Sequence, residues 1–256
     1  MKRMSGKKSA SVIKINIYPD AEDLAREAAQ YLTRQIRLAL AARERISLML
    51  SGGTTPRDVY AHFANQELAG SVDWSRVLIF WGDERCVPPD HPESNFHMAQ
   101  QSLLEKVSIP IQNIHRIRGE LAPQEAAADY ERTLAATLGA GANPPAVDML
   151  LLGMGEDGHI ASLFPGSPAL QETQRWVVAV PHDEPPPPLI WRVTVTFPLI
   201  LAARQVVLIV SGQKKSTRLH QALYEREGDT VLPAQRLRQV KGELVWLVDQ
   251  AAAGAA

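Results

Sequence analysis

Residues 148–166 read DMLLLGMGEDGHIASLFPG: an apolar run stops at Gly153-Met154-Gly155, and Asp157-Gly158-His159 follows. A histidine changes charge near neutral pH, and a carboxylate two residues away can tune that change. His159 therefore reads as a candidate general base with Asp157 as its partner. The plain alternative is a histidine that caps a following helix. A second apolar run ends in Gly82-Asp83-Glu84-Arg85. There Asp83 could orient a partner or act as a base, while Glu84 better fits an internal salt bridge that holds the loop. A metal centre is not expected, because His159 has no second His or Cys at ligand spacing. Cys86, the one cysteine, lacks a partner histidine and reads as loop packing.

A third run ends in Ser51-Gly52-Gly53-Thr54-Thr55-Pro56. Glycines let backbone N–H groups approach an anion, and a helix N-terminus favours negative charge. The hydroxyls of Ser51, Thr54 and Thr55 add donors. The loop lacks the Gly-Lys-Ser/Thr ending of a Walker A loop, and a tight turn plus an N-cap would explain it equally well. Cations that could join it on a phosphate are Arg85, Arg192 and Lys215, with Lys214 beside the last. Arg192 follows a proline run and Trp191, which would aim it. Lys215 falls in the first turn of a predicted helix, where the dipole disfavours a cation unless an anion is bound.

These residues need elements to hold them. The apolar and alternating patterns predict strands at 11–18, 46–50, 77–81, 147–152, 176–180, 192–197, 206–210 and 243–248, with a short one at 115–117. Helices are predicted at 21–43 with Asp20 as N-cap, and at 57–65, 93–104, 123–138, 214–224 and 232–238. Residues 139–145 read as a linker and 184–188 as a polyproline stretch. Strands alternating with helices imply an α/β fold, a mainly parallel sheet with helices on both faces. In such sheets ligands bind beyond the carboxyl ends of the strands. The polar clusters follow Leu50, Trp81, Leu152 and Val210, so they point to one shared site.

The chain has 256 residues, 45% of them hydrophobic, enough for a sizeable core. Residues 11–250 are expected to form a single domain, with 1–10 and 251–256 as flexible termini. A net charge of −1 gives no electrostatic case for nucleic acid or an anionic membrane, and no apolar run is long enough for a membrane span. A cytoplasmic monomer or small homo-oligomer is expected.

Taken together, three motifs resemble the 6-phosphogluconolactonase family: the Ser51 to Pro56 loop, Trp81-Gly82-Asp83-Glu84-Arg85 with Val87-Pro88 and Ser94-Asn95, and Gly153 through Pro165. The segment 185–192, Thr194, Pro198 and Gly212-Gln213-Lys214-Lys215 are similar to its later motifs. The resemblance spans about residues 17–248. It implies a Rossmann-like fold shared with glucosamine-6-phosphate deaminases. It also implies hydrolysis of 6-phospho-D-glucono-1,5-lactone to 6-phosphogluconate in the pentose phosphate pathway, with no metal or organic cofactor. The partner it implies is a small-molecule phosphosugar lactone.

By position, the resemblance makes His159 the base that activates water. Asp157 and Asp83 orient it or the substrate, and Arg85 contacts the substrate. Gly52, Gly53, Thr54 and Thr55, with Ser51, Arg192 and Lys215, hold the phosphate. Backbone N–H groups of the 153–155 turn, or Arg85, are candidate oxyanion donors. Ile160 stands where the family often has threonine, a packing change. The rivals are a glucosamine-6-phosphate deaminase or isomerase and a sugar-phosphate sensor without turnover. Arg85 and Ser162-Leu163-Phe164-Pro165 depart from the deaminase pattern, and an intact His159 and Asp157 argue against the sensor.

Overall fold

The apolar and alternating runs form eight of the nine strands among the described residues, which are 13–139, 144–183, 187–226 and 231–254 of a computed structural model; the charged Asp83–Arg85 segment is the ninth. The strands are β1 (Ile13–Tyr18), β2 (Ile46–Leu50), β3 (Val77–Trp81), β4 (Asp83–Arg85), β5 (Met149–Leu152), β6 (Val177–Val180), β7 (Arg192–Val195), β8 (Gln205–Val210) and β9 (Glu243–Asp249). Six of them make one sheet in the order β1-β9-β8-β5-β2-β3, and every pairing in it is parallel. All residues of β2, β3, β5 and β8 are buried. Alternate residues point to opposite faces, so both faces are covered, as parallel sheets require. The covering helices are α1 (Ala21–Ala42), α2 (Thr54–Phe63), α3 (Gln66–Ala69), α4 (Asn95–Ser102), α5 (Pro123–Leu138), α6 (Phe197–Ala202), α7 (Ser216–Tyr224) and α8 (Gln250–Ala253). Asp20 caps α1 as expected, accepting the N–H of Asp23 at 2.8 Å. None of the helices is long and apolar enough to cross a membrane.

The topology explains where a ligand can sit. The chain leaves β2 for β3 on one side and returns to β5 on the other. The crevice between the ends of β2 and β5 is therefore a switch point, the usual ligand site of open α/β sheets. The Gly153 N–H donates to Ser51 Oγ across it at 3.3 Å. Two buried tyrosines fix the neighbouring strand ends. Tyr60 of α2 bonds both the N–H and the C=O of Ser51 at 2.9 Å. Tyr130 of α5 does the same for Trp81, at 2.8 and 2.9 Å.

Several expectations are corrected. Asp83–Arg85 is not a loop end but strand β4, in a separate antiparallel sheet ordered β4-β7-β6. Helix α2 starts at Thr54, three residues early, because Gly53 adopts φ 101° as its N-cap. Pro56 is tolerated in that first turn, where backbone N–H groups have no helical partner anyway. Residues 115–117 form no strand; only Ile114 bridges to Ile79. At the C-terminal end, Asp249 caps α8 by accepting the N–H of Ala252. The rest of the expected flexible termini, and parts of the 139–145 linker and the 184–188 proline stretch, lie outside the described residues.

Candidate active site

The strand ends frame a cavity of about 230 Å³. Ser51, Gly52, Gly53, Thr54, Thr55, Asp83, Arg85, His159, Arg192 and Lys215 all line it. Of the sequence-predicted site residues only Asp157 does not. It stands behind the histidine and faces a separate groove.

His159 comes from the turn after β5. Its Nδ1 lies 2.6 Å from Asp157 Oδ1, and its backbone N–H donates to the same oxygen at 3.1 Å. An ionised carboxylate can only accept, so Nδ1 carries a proton, and whenever the ring is neutral the lone pair is on Nε2. Burial works to raise the Asp157 carboxyl, but the hydrogen bond and charge of His159 outweigh it and leave the carboxyl below its usual range. Gly155 makes room for this pair: a Cβ there would collide with the His159 ring and with Asp157. No helix starts at His159, and the next helical turn, Pro168–Gln171, is capped by Ser167, so the capping alternative is excluded. Ile160 is fully buried, which fits a packing role. The next residue, Ala161, has φ 47°, a left-handed conformation unusual for a residue with a side chain.

Asp83 is 7% exposed. Its Oδ2 accepts from Ser162 Oγ at 2.6 Å, and its Oδ1 from Asn95 Nδ2 at 3.4 Å. Its neighbour Glu84 forms no salt bridge among the described residues. It instead accepts from Ser94 Oγ and from the N–H groups of Asn95 and Phe96, at 2.7–2.9 Å, fastening the start of α4. Burial still raises its carboxyl. Gly52 has to be glycine because the Asn95 side chain occupies the space of a Cβ.

The cationic end is assembled by the second sheet. Arg85 and Arg192 are direct cross-strand partners in β4 and β7, an arrangement of like charges that opposes pairing. Arg192 is 5% exposed and is held by the carbonyls of Ile190 and Pro188 at 3.2 and 3.1 Å. Burial, then the charge of Arg85, lower its hold on its proton. Arg85 donates to the carbonyl of Glu93, and its Nε is buried with no hydrogen-bond partner among the described residues. Lys215 is the N-cap of α7, and burial lowers its pKa. Lys214 is exposed and points to Glu156, whereas Lys215 lines the cavity. The Ser211-Gly212 turn before them is tied to the buried Asp249, which accepts the N–H of Gly212 at 3.0 Å. The N-terminus of α2 presents the N–H groups of Thr54 and Thr55 from the remaining side.

One expected donor set shrinks. In the 153–155 turn, the Gly153 N–H goes to Ser51 Oγ at 3.3 Å and the Gly155 N–H to His159 O at 2.9 Å. Met154 is the turn's remaining donor for an oxyanion. Sequence reasoning named Asn95, Ser162 and Phe164 only within motifs, with no role of their own, and missed His182. Asn95, Phe164 and His182 line the cavity, and Ser162 lies just beneath it. Ser94-Asn95 was visible as part of a motif, whereas His182 carries no local signal. No cluster of three or more His, Cys, Asp or Glu able to hold a metal occurs among the described residues.

Known proteins resemble this chain over most of its length. The family model for glucosamine-6-phosphate isomerases/6-phosphogluconolactonase matches residues 19–246. The chain is 38% identical over 243 residues to 6-phosphogluconolactonase of Nostoc sp., covering 94% of this chain and 97% of that one. It is 39% identical over 240 residues to the Synechocystis sp. enzyme, covering 93% and 96%. The solved structure of 6-phosphogluconolactonase from Trypanosoma brucei superposes with a TM-score of 0.85 at 28% identity, covering 95% and 98%.

Proposed function

We infer the activity from one premise: the chain belongs to the family of glucosamine-6-phosphate isomerases and 6-phosphogluconolactonases. It is an enzyme that hydrolyses 6-phospho-D-glucono-1,5-lactone to 6-phosphogluconate, a step of the pentose phosphate pathway. One observation carries the reading at the level of chemistry. A histidine oriented from behind by a carboxylate faces the same small cavity as two arginines, a lysine and a helix N-terminus. A phosphorylated ester needs a base at one end and an anion holder at the other.

In this reading the phosphate sits among Arg192, Lys215 and the N–H groups of residues 52–55, with the Ser51 hydroxyl closing the loop against β5. That anchorage supplies binding energy that places the lactone carbonyl near His159. His159 Nε2 takes a proton from water as the water oxygen bonds to C1, and the carbonyl oxygen becomes an oxyanion. The Met154 N–H or Arg85 stabilises it. Collapse breaks the bond from C1 to the ring oxygen, which takes the proton back from His159. The resulting carboxylic acid then loses its own proton to solvent. A positioned base contributes about 10²- to 10⁴-fold. Asp157 keeps the imidazole in the productive tautomer, and Asp83, locked by Ser162 and Asn95, orients the base or the substrate. Residues 11–250 act as one domain, in the cytoplasm, as a monomer or small homo-oligomer.

The deaminase reading is not favoured, since Arg85 and Ser162-Leu163-Phe164-Pro165 depart from that pattern. The deciding experiment gives purified protein freshly made 6-phosphogluconolactone and, in parallel, glucosamine 6-phosphate, with spontaneous lactone opening subtracted. Lactone opening without ammonia release supports the reading; ammonia release from glucosamine 6-phosphate overturns it.

A further inference from the structure

We propose that Ser162 is a positioning residue for lactone opening that acts through Asp83: its hydroxyl fixes that carboxylate relative to His159. The proposal rests on the lactonase reading, because turnover is what Ser162 would change.

His159 and Asp83 reach the cavity from different parts of the fold. The base follows β5 of the six-stranded sheet, whereas Asp83 opens β4 of the three-stranded one. Ser162 touches both. It stands three residues after His159, in the turn that Leu163 closes by donating its N–H to the carbonyl of Ile160 at 2.9 Å. Its hydroxyl crosses to Asp83, with Oγ 2.6 Å from Oδ2. Its N–H donates to Oγ1 of Thr194 at 3.1 Å, and Thr194 is the cross-strand partner of Asp83. Ser162 is fully buried, so both bonds are shielded from water.

The distances decide which partner governs the carboxylate. The Asn95 amide stands 3.4 Å from Oδ1 and bonds the Asp83 carbonyl more closely, at 2.9 Å. The tight contact to the carboxylate is that of Ser162, and a hydroxyl bonded to a charged oxygen is among the stronger hydrogen bonds. Ala161, just before Ser162, keeps φ 47°, a conformation that persists where surrounding contacts over-determine it. The buried side chains of Ile160 and Leu163 and the two bonds of Ser162 supply those contacts. The two sheets are also joined through Gly82, which donates to the Leu50 carbonyl and accepts from the Val195 N–H, both at 2.9 Å. Loss of the Ser162 hydroxyl therefore frees one carboxylate and leaves the sheets in place.

The experiment is a double-mutant cycle read in steady-state lactone hydrolysis by the full chain, after subtraction of spontaneous opening. Ser162→Ala is expected to lower kcat by about 10- to 100-fold, the scale of a small misplacement at the reacting centre, with KM within about threefold of wild type. In an Asp83→Ala background the same substitution should change kcat by less than about threefold, since residues that act as a unit are not additive. A purely structural role would lower kcat equally in both backgrounds. If Ser162→Ala folds poorly, Thr194→Val takes its place in the cycle with the same expected pattern: it is similar in shape and removes the acceptor of the Ser162 N–H. Wild-type kcat in the single variant would overturn the proposal. So would an equal loss in both backgrounds, or a loss confined to KM. Failure of the lactonase reading shows separately, as wild-type protein that does not open the lactone.

Discussion

Asp157 holds His159 twice through one oxygen: Oδ1 lies 2.6 Å from Nδ1 of the ring and accepts the backbone N–H of the same residue at 3.1 Å. Asp157 stays outside the substrate cavity, so its effect on turnover must pass through the histidine. Asp157→Asn can present an amide N–H to Nδ1 and favour the wrong tautomer. It is expected to lower kcat by up to the ~10²- to 10⁴-fold that a positioned base supplies, with KM nearly unchanged. A large KM effect with normal kcat would remove Asp157 from the orienting role.

Arg192 is expected to act in binding. Arg192→Ala removes a buried charge-assisted donor worth about 1.5–3 kcal/mol, so KM should rise by roughly 10- to 100-fold while kcat falls less. Arg192→Lys should lose less than the alanine variant, because it keeps the charge but not the planar fork. Steady-state kinetics with both variants decide this; an unchanged KM in Arg192→Ala would contradict a phosphate role.

Lys215 gives a pH signature. Burial lowers its pKa below the ordinary lysine value of 10.5. The charged form is present below that lowered pKa and is lost as pH rises through it. Affinity for 6-phosphogluconate should therefore fall on the alkaline side before pH 10.5. For the free protein the sign is opposite: the buried cation costs stability where it is charged, and this cost disappears as pH rises from the lowered value toward 10.5. Lys215→Arg should abolish the alkaline loss of affinity. A binding curve that stays flat beyond pH 10.5 would exclude Lys215 as the titrating contact.

Tyr60 clamps Ser51 at the end of β2 through two hydrogen bonds of 2.9 Å. Tyr60→Phe leaves a buried N–H and C=O without that partner, a cost of about 1–3 kcal/mol. A lowered midpoint in urea is expected, together with a higher KM, because the clamp also seats the Ser51 to Thr55 loop. Unchanged stability would mean that water replaces the hydroxyl.

The sequence showed most of the frame because strands buried on both faces read as unbroken apolar runs, as β2, β3, β5 and β8 do. The polar clusters that ended those runs were legible for the same reason, and of the residues assigned from them to the site all but Asp157 line one cavity. What stayed hidden depends on contacts between distant residues. Asp83–Arg85 has no apolar alternation, and only pairing with β7 makes it a strand and sets Arg85 opposite Arg192. Glu84 looked like half of a salt bridge, but its partners are hydroxyl and backbone donors ten to twelve residues on. His182 has no motif at all; it reaches the cavity through a stack on Phe164, 18 residues earlier in the chain. Tyr60 and Tyr130 occupy ordinary apolar positions of helices, and nothing local marks their hydroxyls as clamps.

The central claim is that His159 is the base, and the direct measurement is lactone hydrolysis by His159→Ala beside its binding of 6-phosphogluconate. The account predicts turnover reduced by about 10²- to 10⁴-fold after subtraction of spontaneous opening, with affinity for 6-phosphogluconate largely kept. Turnover close to wild type in a variant that still binds 6-phosphogluconate would contradict it.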